Sequence, residues 1–138
     1  MTNRPTTTEV IGRFYAALRS HDVAAWLDTF AEDAIAHDPV GMPPHYGHEG
    51  LKAFLSGVLA QFVSFGLTED DVFHAPNSAA VRWTGRGHGR NGRPVQFSGI
   101  DLFEFDGNGK IRLFKAYWDA APVLATLTLP SQAKESCG

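Results

Sequence analysis

The sequence predicts an α+β domain in which helices pack on one face of a curved antiparallel sheet. Three observations predict it. Through the first half, up to about Phe65, apolar residues recur every three or four positions. After Gly66 the period falls to two, in runs rich in β-branched and aromatic residues. Those runs are divided by "RNGR" (Arg90 to Arg93) and "DGNG" (Asp106 to Gly109), hairpin turns in which Asn and Gly tolerate positive φ. Helices first and a meander afterwards is an α+β layout.

The elements follow in order. "TTTE" (Thr6 to Glu9) is a capping box ahead of Val10, Ile11, Phe14, Ala17 and Leu18, which share one helical face. Asp22 caps a second helix carrying Val23, Trp26, Leu27 and Phe30. A short strand through "AIAHD" leads into the proline-rich turn "PVGMPPHYG". A third helix fits His48 to about Phe65, with Leu51, Phe54, Leu55, Val58, Leu59 and Phe62 on its apolar stripe. Strands are expected over Leu67 to His74, Ala79 to Gly89, Pro94 to Phe105 and Lys110 to Trp118.

At 138 residues the chain is read as one domain over 1–130, with a disordered polar tail at 131–138. A chain of this size buries roughly 68–70% of its unfolded surface, enough for one core. The formal net charge of −3 gives no reason to expect nucleic acid or an anionic membrane as partner. No segment has the apolar length of a membrane span or the pattern of a signal peptide. The single cysteine, Cys137, permits no internal disulfide, so a reducing, cytoplasmic setting is expected. Ten Phe, three Tyr and three Trp are many for this length and fill a core or line an apolar cavity.

Two carboxylates look misplaced. Asp38 ends an apolar strand, where a charge costs free energy unless it is solvated, hydrogen-bonded or used. On "GIDLFEF" strict alternation puts Asp101 on one face with Gly99, Phe103 and Phe105. Asp38 is either a cap of the Pro-rich turn or a base at a pocket floor. Asp101 is either a buried side chain bonded to a neighbouring strand or a pocket acid whose pKa desolvation raises.

The Asp-Pro-Val-Gly element at Asp38, the Ile-Asp-x-Phe-x-Phe strand at Asp101 and the order of the helices resemble the ketosteroid isomerase branch of the nuclear transport factor 2-like, or SnoaL-like, superfamily. The resemblance spans roughly Val10 to Asp119. It implies a cone-shaped, cystatin-like fold, with the sheet wrapped around the N-terminal helices to leave a deep apolar pocket. It also implies Asp38 as general base and Asp101 as a protonated acid bonded to the developing enolate oxygen, the pairing for which that enzyme is a standard illustration. Trp83 and Trp118 match aromatic pocket positions, and Phe103 would add apolar contact. The principal enolate donor of those isomerases, a tyrosine on the first helix, is Phe14 here; a supporting tyrosine is Leu55. Tyr15 is adjacent, but a helical step of about 100° turns it off the pocket stripe. Gly85 and Gly87 stand where the isomerases carry bulky residues, implying a remodelled pocket. "AYWDAAPVLATL" is closer to the polyketide cyclases, whose acid/base carboxylate Asp119 matches; alternation sets Asp119 opposite Trp118.

The expected function is therefore a cofactor-independent isomerase or cyclase acting on a small apolar carbonyl compound. A non-catalytic small-molecule binder is the alternative, with epoxide hydrolysis a third reading that normally needs an Arg between two Asp. His37, His45 and His48 lie near Asp38, but their placement on a strand, a loop and a helix start favours solvated or capping roles, and no metal is expected. His45 or Tyr46 would instead close the pocket mouth. "GRGHGRNGR" fails as a dinucleotide fingerprint because it opens no helix, and its arginines are read as a solvated edge. Homodimerisation through the outer sheet face is implied by the resemblance; Ile100 and Leu102, on the face away from the pocket, either serve that contact or pack under the tail.

Overall fold

The computed structural model describes residues 4–131; the expectations for the tail beyond 131, Cys137 included, fall outside the described residues. Helix α1 (Thr7–Arg19) starts where the sequence sets its cap: the Thr6 hydroxyl accepts from the Glu9 N–H, and the Glu9 carboxylate accepts from the Thr6 N–H, both at 3.1 Å. Helix α2 (Val23–Leu27) is capped by Asp22, whose side chain accepts from the Ala25 N–H at 3.0 Å. Strand β1 (Phe30–His37) and the two-residue β2 (His45–Tyr46) precede helix α3 (Gly47–Leu59). Four strands follow, β3 (Phe62–Ala75), β4 (Ser78–Gly89), β5 (Pro94–Phe105) and β6 (Ile111–Trp118), and helix α4 (Ala120–Leu127) closes the described chain.

The strands form one sheet in the order β2-β1-β6-β5-β4-β3. The β3–β6 meander is antiparallel, as the turn signals require, and β1 joins it by parallel pairing with β6. That parallel pair fixes where β1 ends. Ala36 lies opposite Phe114, and beyond the strand the Val40 N–H still donates to the Ala116 carbonyl at 2.9 Å, so Asp38 is held alongside β6. The long core sits between the inner sheet face and α1, α2 and α3. Phe14, Phe30, Phe103 and Phe114 interlock there at ring separations of 5.1–6.1 Å.

The third helix is shorter than its periodicity predicts, ending at Leu59. Phe62 and Phe65 continue the helical spacing, but the backbone there pairs with β4, Phe62 opposite Gly89 and Phe65 opposite Gly87. A register shift between Phe62 and Ser64 lets two residues three apart share an inner face on a strand, which mimics a helical repeat. The Arg90 Nε–H donates to the Ala60 carbonyl at 2.9 Å and satisfies the end of α3.

The β4–β5 hairpin is not an edge of the sheet; β2 and β3 are. Arg86 and Arg90 are exposed, and Arg90 and Arg93 also donate to main-chain carbonyls, of Ala60 and of Pro130. Asn91 at the same turn donates to the carbonyls of Thr126 and Leu129 at 2.9 and 3.0 Å, fastening the end of α4 to the hairpin. No helix among the described residues is long and apolar enough to cross a membrane.

Candidate active site

A cavity of about 100 Å³ opens between the inner sheet face and the helices. Its walls are apolar, with Leu18, Leu55, Phe65 and Phe97 among them, apart from a few polar groups. Asp38 and Asp101 both line it, as do Phe14, Trp83 and Trp118. Val123, Leu124 and Leu127 of α4 form part of the same wall, and Gln61 is a further polar residue on it.

Asp38 is half-buried just past the end of β1. The Trp118 indole N–H donates to its Oδ1 at 2.7 Å. Burial pushes its carboxyl up to about 6, against the opposing pull of that indole hydrogen bond. It is therefore mostly ionised at pH 7, yet basic enough to take a proton.

Asp101 is set in the middle of β5 and is 1% exposed. The Tyr15 hydroxyl donates to its Oδ2 at 2.5 Å. Burial raises the Asp101 carboxyl well above the ordinary range and the charge of Asp38 adds to the rise, while the Tyr15 hydroxyl and the nearby Trp83 indole oppose it. Burial and the charge of Asp101 drive the Tyr15 phenol upward as well, so it remains a donor. With Oδ2 engaged by Tyr15, the Asp101 proton belongs on Oδ1. The site thus joins a carboxylate poised near neutrality with a carboxylic acid. Such a pair can accept a proton from carbon and hydrogen-bond an oxygen that gains charge.

The SnoaL-like domain family model matches residues 11–114, three quarters of the chain. The chain belongs to that family. Two solved structures are similar to this SnoaL-like domain in fold. One is the epoxide hydrolase/cyclase-like enzyme SalBIII, described in connection with pyran ring formation in the polyether salinomycin. It has a TM-score of 0.75 and 19% identity over 82% of this chain and 90% of that one. The other is a hypothetical protein with a ketosteroid isomerase-like fold from Catenulispora acidiphila, solved with trimethylamine. It has a TM-score of 0.78 and 21% identity over 91% of this chain and 97% of that one.

The remaining expected site residues fall in two groups. Phe14 presents an apolar ring to the cavity of the SnoaL-like domain, as does Trp118 beside Asp38. Phe103 does not reach the cavity. It is 1% exposed and packs edge-on against Phe14 at 5.1 Å and over Phe105 at 6.1 Å, because β5 carries it past Asp101 into the closed end of the core. Asp119 is exposed at the N-cap position of α4, makes no capping hydrogen bond and is not part of the cavity wall. The His45 ring lies tilted against Phe54 at 4.4 Å, and neither it nor Tyr46 lines the cavity. The His48 Nε2–H donates to the Phe30 carbonyl at 2.9 Å. Among the described residues no three His, Cys, Asp or Glu side chains gather as a metal-binding group.

Two features depart from the sequence reading. Tyr15 does lie off the cavity wall, yet its phenol supports Asp101 from behind. Its spacing held the signal, since Ile11, Tyr15 and Leu18 fall at i, i+4 and i+7 and all three are buried. The glycines do not hollow out the pocket either. A Cβ at Gly85 would lie 2.8 Å from Leu67 Cδ2 and from Phe97 Cζ, and one at Gly87 would lie 2.5 Å from the Ser64 carbonyl oxygen. The space is already taken by neighbouring side chains and by β3.

Proposed function

We propose that this SnoaL-like domain moves a proton between carbons of a small apolar ketone or related carbonyl compound. The observation that carries the reading is a single apolar cavity whose wall bears two carboxyl groups biased to opposite protonation states. In the proposed step the Asp38 carboxylate takes a proton from the carbon next to the carbonyl. The C–H electron pair becomes the new C=C bond, and the carbonyl π pair moves onto oxygen. The Asp101 hydroxyl donates to that oxygen as its charge develops. Asp38, now protonated, returns the proton to the distal carbon, and the carbonyl re-forms in conjugation. No metal or cofactor enters the scheme.

A β,γ-unsaturated ketone tests this directly, with the conjugated enone followed by absorbance. Turnover by the wild type and loss of it in Asp38→Asn are expected; equal rates would remove Asp38 from the mechanism. Non-catalytic binding is favoured by one observation, the apolar ring of Phe14 where the resembled isomerases carry their main donor. Saturable binding of apolar ketones without turnover of any would support it. Hydrolysis of an epoxide would draw on an arginine between two aspartates, and among the described residues no arginine lines the cavity.

We also propose a second copy of the chain as partner. The outer face of β5 and β6 carries Ile100, Leu102 and Tyr117, exposed by 45%, 37% and 45% and adjacent across the ladder. Light scattering is expected to give twice the chain mass, and Ile100→Asp is expected to give the monomer.

A further inference from the structure

Helix α4 is a lightly supported part of the cavity wall. Of its eight residues only Val123 is buried, whereas α1 buries Val10, Ile11, Phe14, Tyr15, Ala17 and Leu18. A helix this short does not hold its shape in water alone, so it depends on what it packs against. Val123 belongs to a small cluster with Phe62 and Val95, apart from the main core that α1, α2 and α3 share. The cavity is lined from both clusters, so one side of α4 faces a void where a core helix would face side chains. Leu124 borders that void and is still 48% exposed, and Gln61, past the end of α3, borders it and is exposed too. The mouth of the cavity therefore lies beside α4.

The two ends of α4 are held differently. It follows β6 through Asp119, whose side chain makes no capping hydrogen bond. Its far end is fixed by the β4–β5 turn. The Asn91 carboxamide donates to the carbonyls of Thr126 and Leu129, and its Oδ1 accepts from the Arg93 N–H at 3.2 Å, which sets its orientation. Leu127 rests where β4 ends in a glycine. A Cβ on Gly89 would lie 2.7 Å from Leu127 Cδ2 and 2.7 Å from Asn91 Oδ1, so the bare backbone is the seat of both.

Position along β5 says what kind of ligand would meet α4. The cluster that holds Val123 includes Val95 and borders Phe97, which precede Asp101 on β5 by about 13–20 Å of strand. An oxygen held at Asp101 and a tail against α4 therefore need an extended molecule. We propose that α4 is the gate of the cavity, hinged at Asp119 and latched by Asn91, and that it closes on the apolar tail of an elongated ligand, whose surface supplies the packing the helix lacks. The gate rests on the cavity as a binding chamber and not on proton transfer. The length of the ligand rests on the proposed seat of its oxygen at Asp101.

Amide hydrogen exchange, resolved by segment, tests both parts, with 2-undecanone as the long probe and butanone as the short one. In the free protein the α4 amides are expected to exchange about tenfold faster than those of α1. Excess 2-undecanone is expected to slow α4 about tenfold, and butanone to leave it within about twofold. Asn91→Ala removes both bonds of the latch and should speed α4 exchange about tenfold while leaving α1 unchanged. Gly89→Ala, which drives a methyl into the seat of Leu127, should do the same and serves if the first variant does not fold. Exchange of α4 as slow as that of α1, or unaltered by both variants, would overturn the gate. Equal protection by the two ketones would overturn the elongated ligand. If 2-undecanone protects α4 but no β,γ-unsaturated ketone is turned over, the gate stands and only the catalytic reading falls. If no ketone protects α4, the proposal falls even where a ketone is turned over.

Discussion

The two carboxyl groups share a cavity but are held by unlike parts of the molecule. Asp38 sits past the last residue of β1, where the chain leaves the sheet for the Pro-rich turn, and has one indole donor and partial exposure. Asp101 is mid-strand, flanked by ladders on both sides, and is supported from behind by a phenol on α1. A strand end allows a carboxylate to ionise near neutral pH; a strand interior keeps one protonated. The difference teaches that depth along the strands sets how far a carboxyl is pushed up, with the same residue type at both positions.

The contrast predicts distinct failures. Asp38→Asn is expected to lower kcat on a β,γ-unsaturated ketone by on the order of 10²–10⁴-fold, the usual span for a general base. Asp101→Leu removes a donor and is expected to cost on the order of 10²–10³-fold in kcat. Equal losses accompanied by equal shifts in the pH profile would erase the distinction between the two sites.

Stability and activity should move in opposite directions at Asp38. Its folded pKa of about 6 lies above the 3.8 of a solvated aspartate, so between those pH values the folded state binds more protons than the unfolded one. Stability attributable to this group falls as pH rises through that window. Asp38→Asn is therefore expected to stabilise the protein by about 1–3 kcal/mol at pH 7 and by little below pH 4, as read by denaturant unfolding at both. Tyr15→Phe leaves Asp101 Oδ2 without its donor and should cost about 1–3 kcal/mol of stability.

The smallest effect sharpens the comparison most. In the proposed mechanism kcat/KM rises with pH through the ionisation of Asp38, with an inflection near 6. Trp118→Phe deletes the hydrogen bond that favours the carboxylate, so the inflection should move to higher pH. No movement would mean that the indole does not tune the base.

The fold was legible where local pattern and tertiary context agree. The capping box at Thr6, the Asp22 cap and the alternation of Gly99 to Phe105 each specify a local geometry that the core then uses. The end of α3 was not legible, because the pairing of Phe62 to Phe65 with β4 is a long-range fact that no local period contains. The position of both carboxyl groups on one cavity could be expected from the resemblance. The contribution of Tyr15 is not legible from its helical angle, because a backbone step of about 100° does not fix where a long phenol ends. Phe103 was misassigned because alternation gives the face of a strand but not the depth along it.

The ring of Phe97 over Gly85 has a practical consequence for altering the chamber. Enlarging the glycines would drive side chains into Leu67, Phe97 and the β3 backbone, so those positions cannot be used to retune ligand size. Phe97 is the removable plug: it is part-buried, wedged between the two indoles at 5.6 and 5.4 Å, and borders the void. Shortening that one side chain would widen the chamber toward bulkier guests, leaving both acidic groups on their own strands.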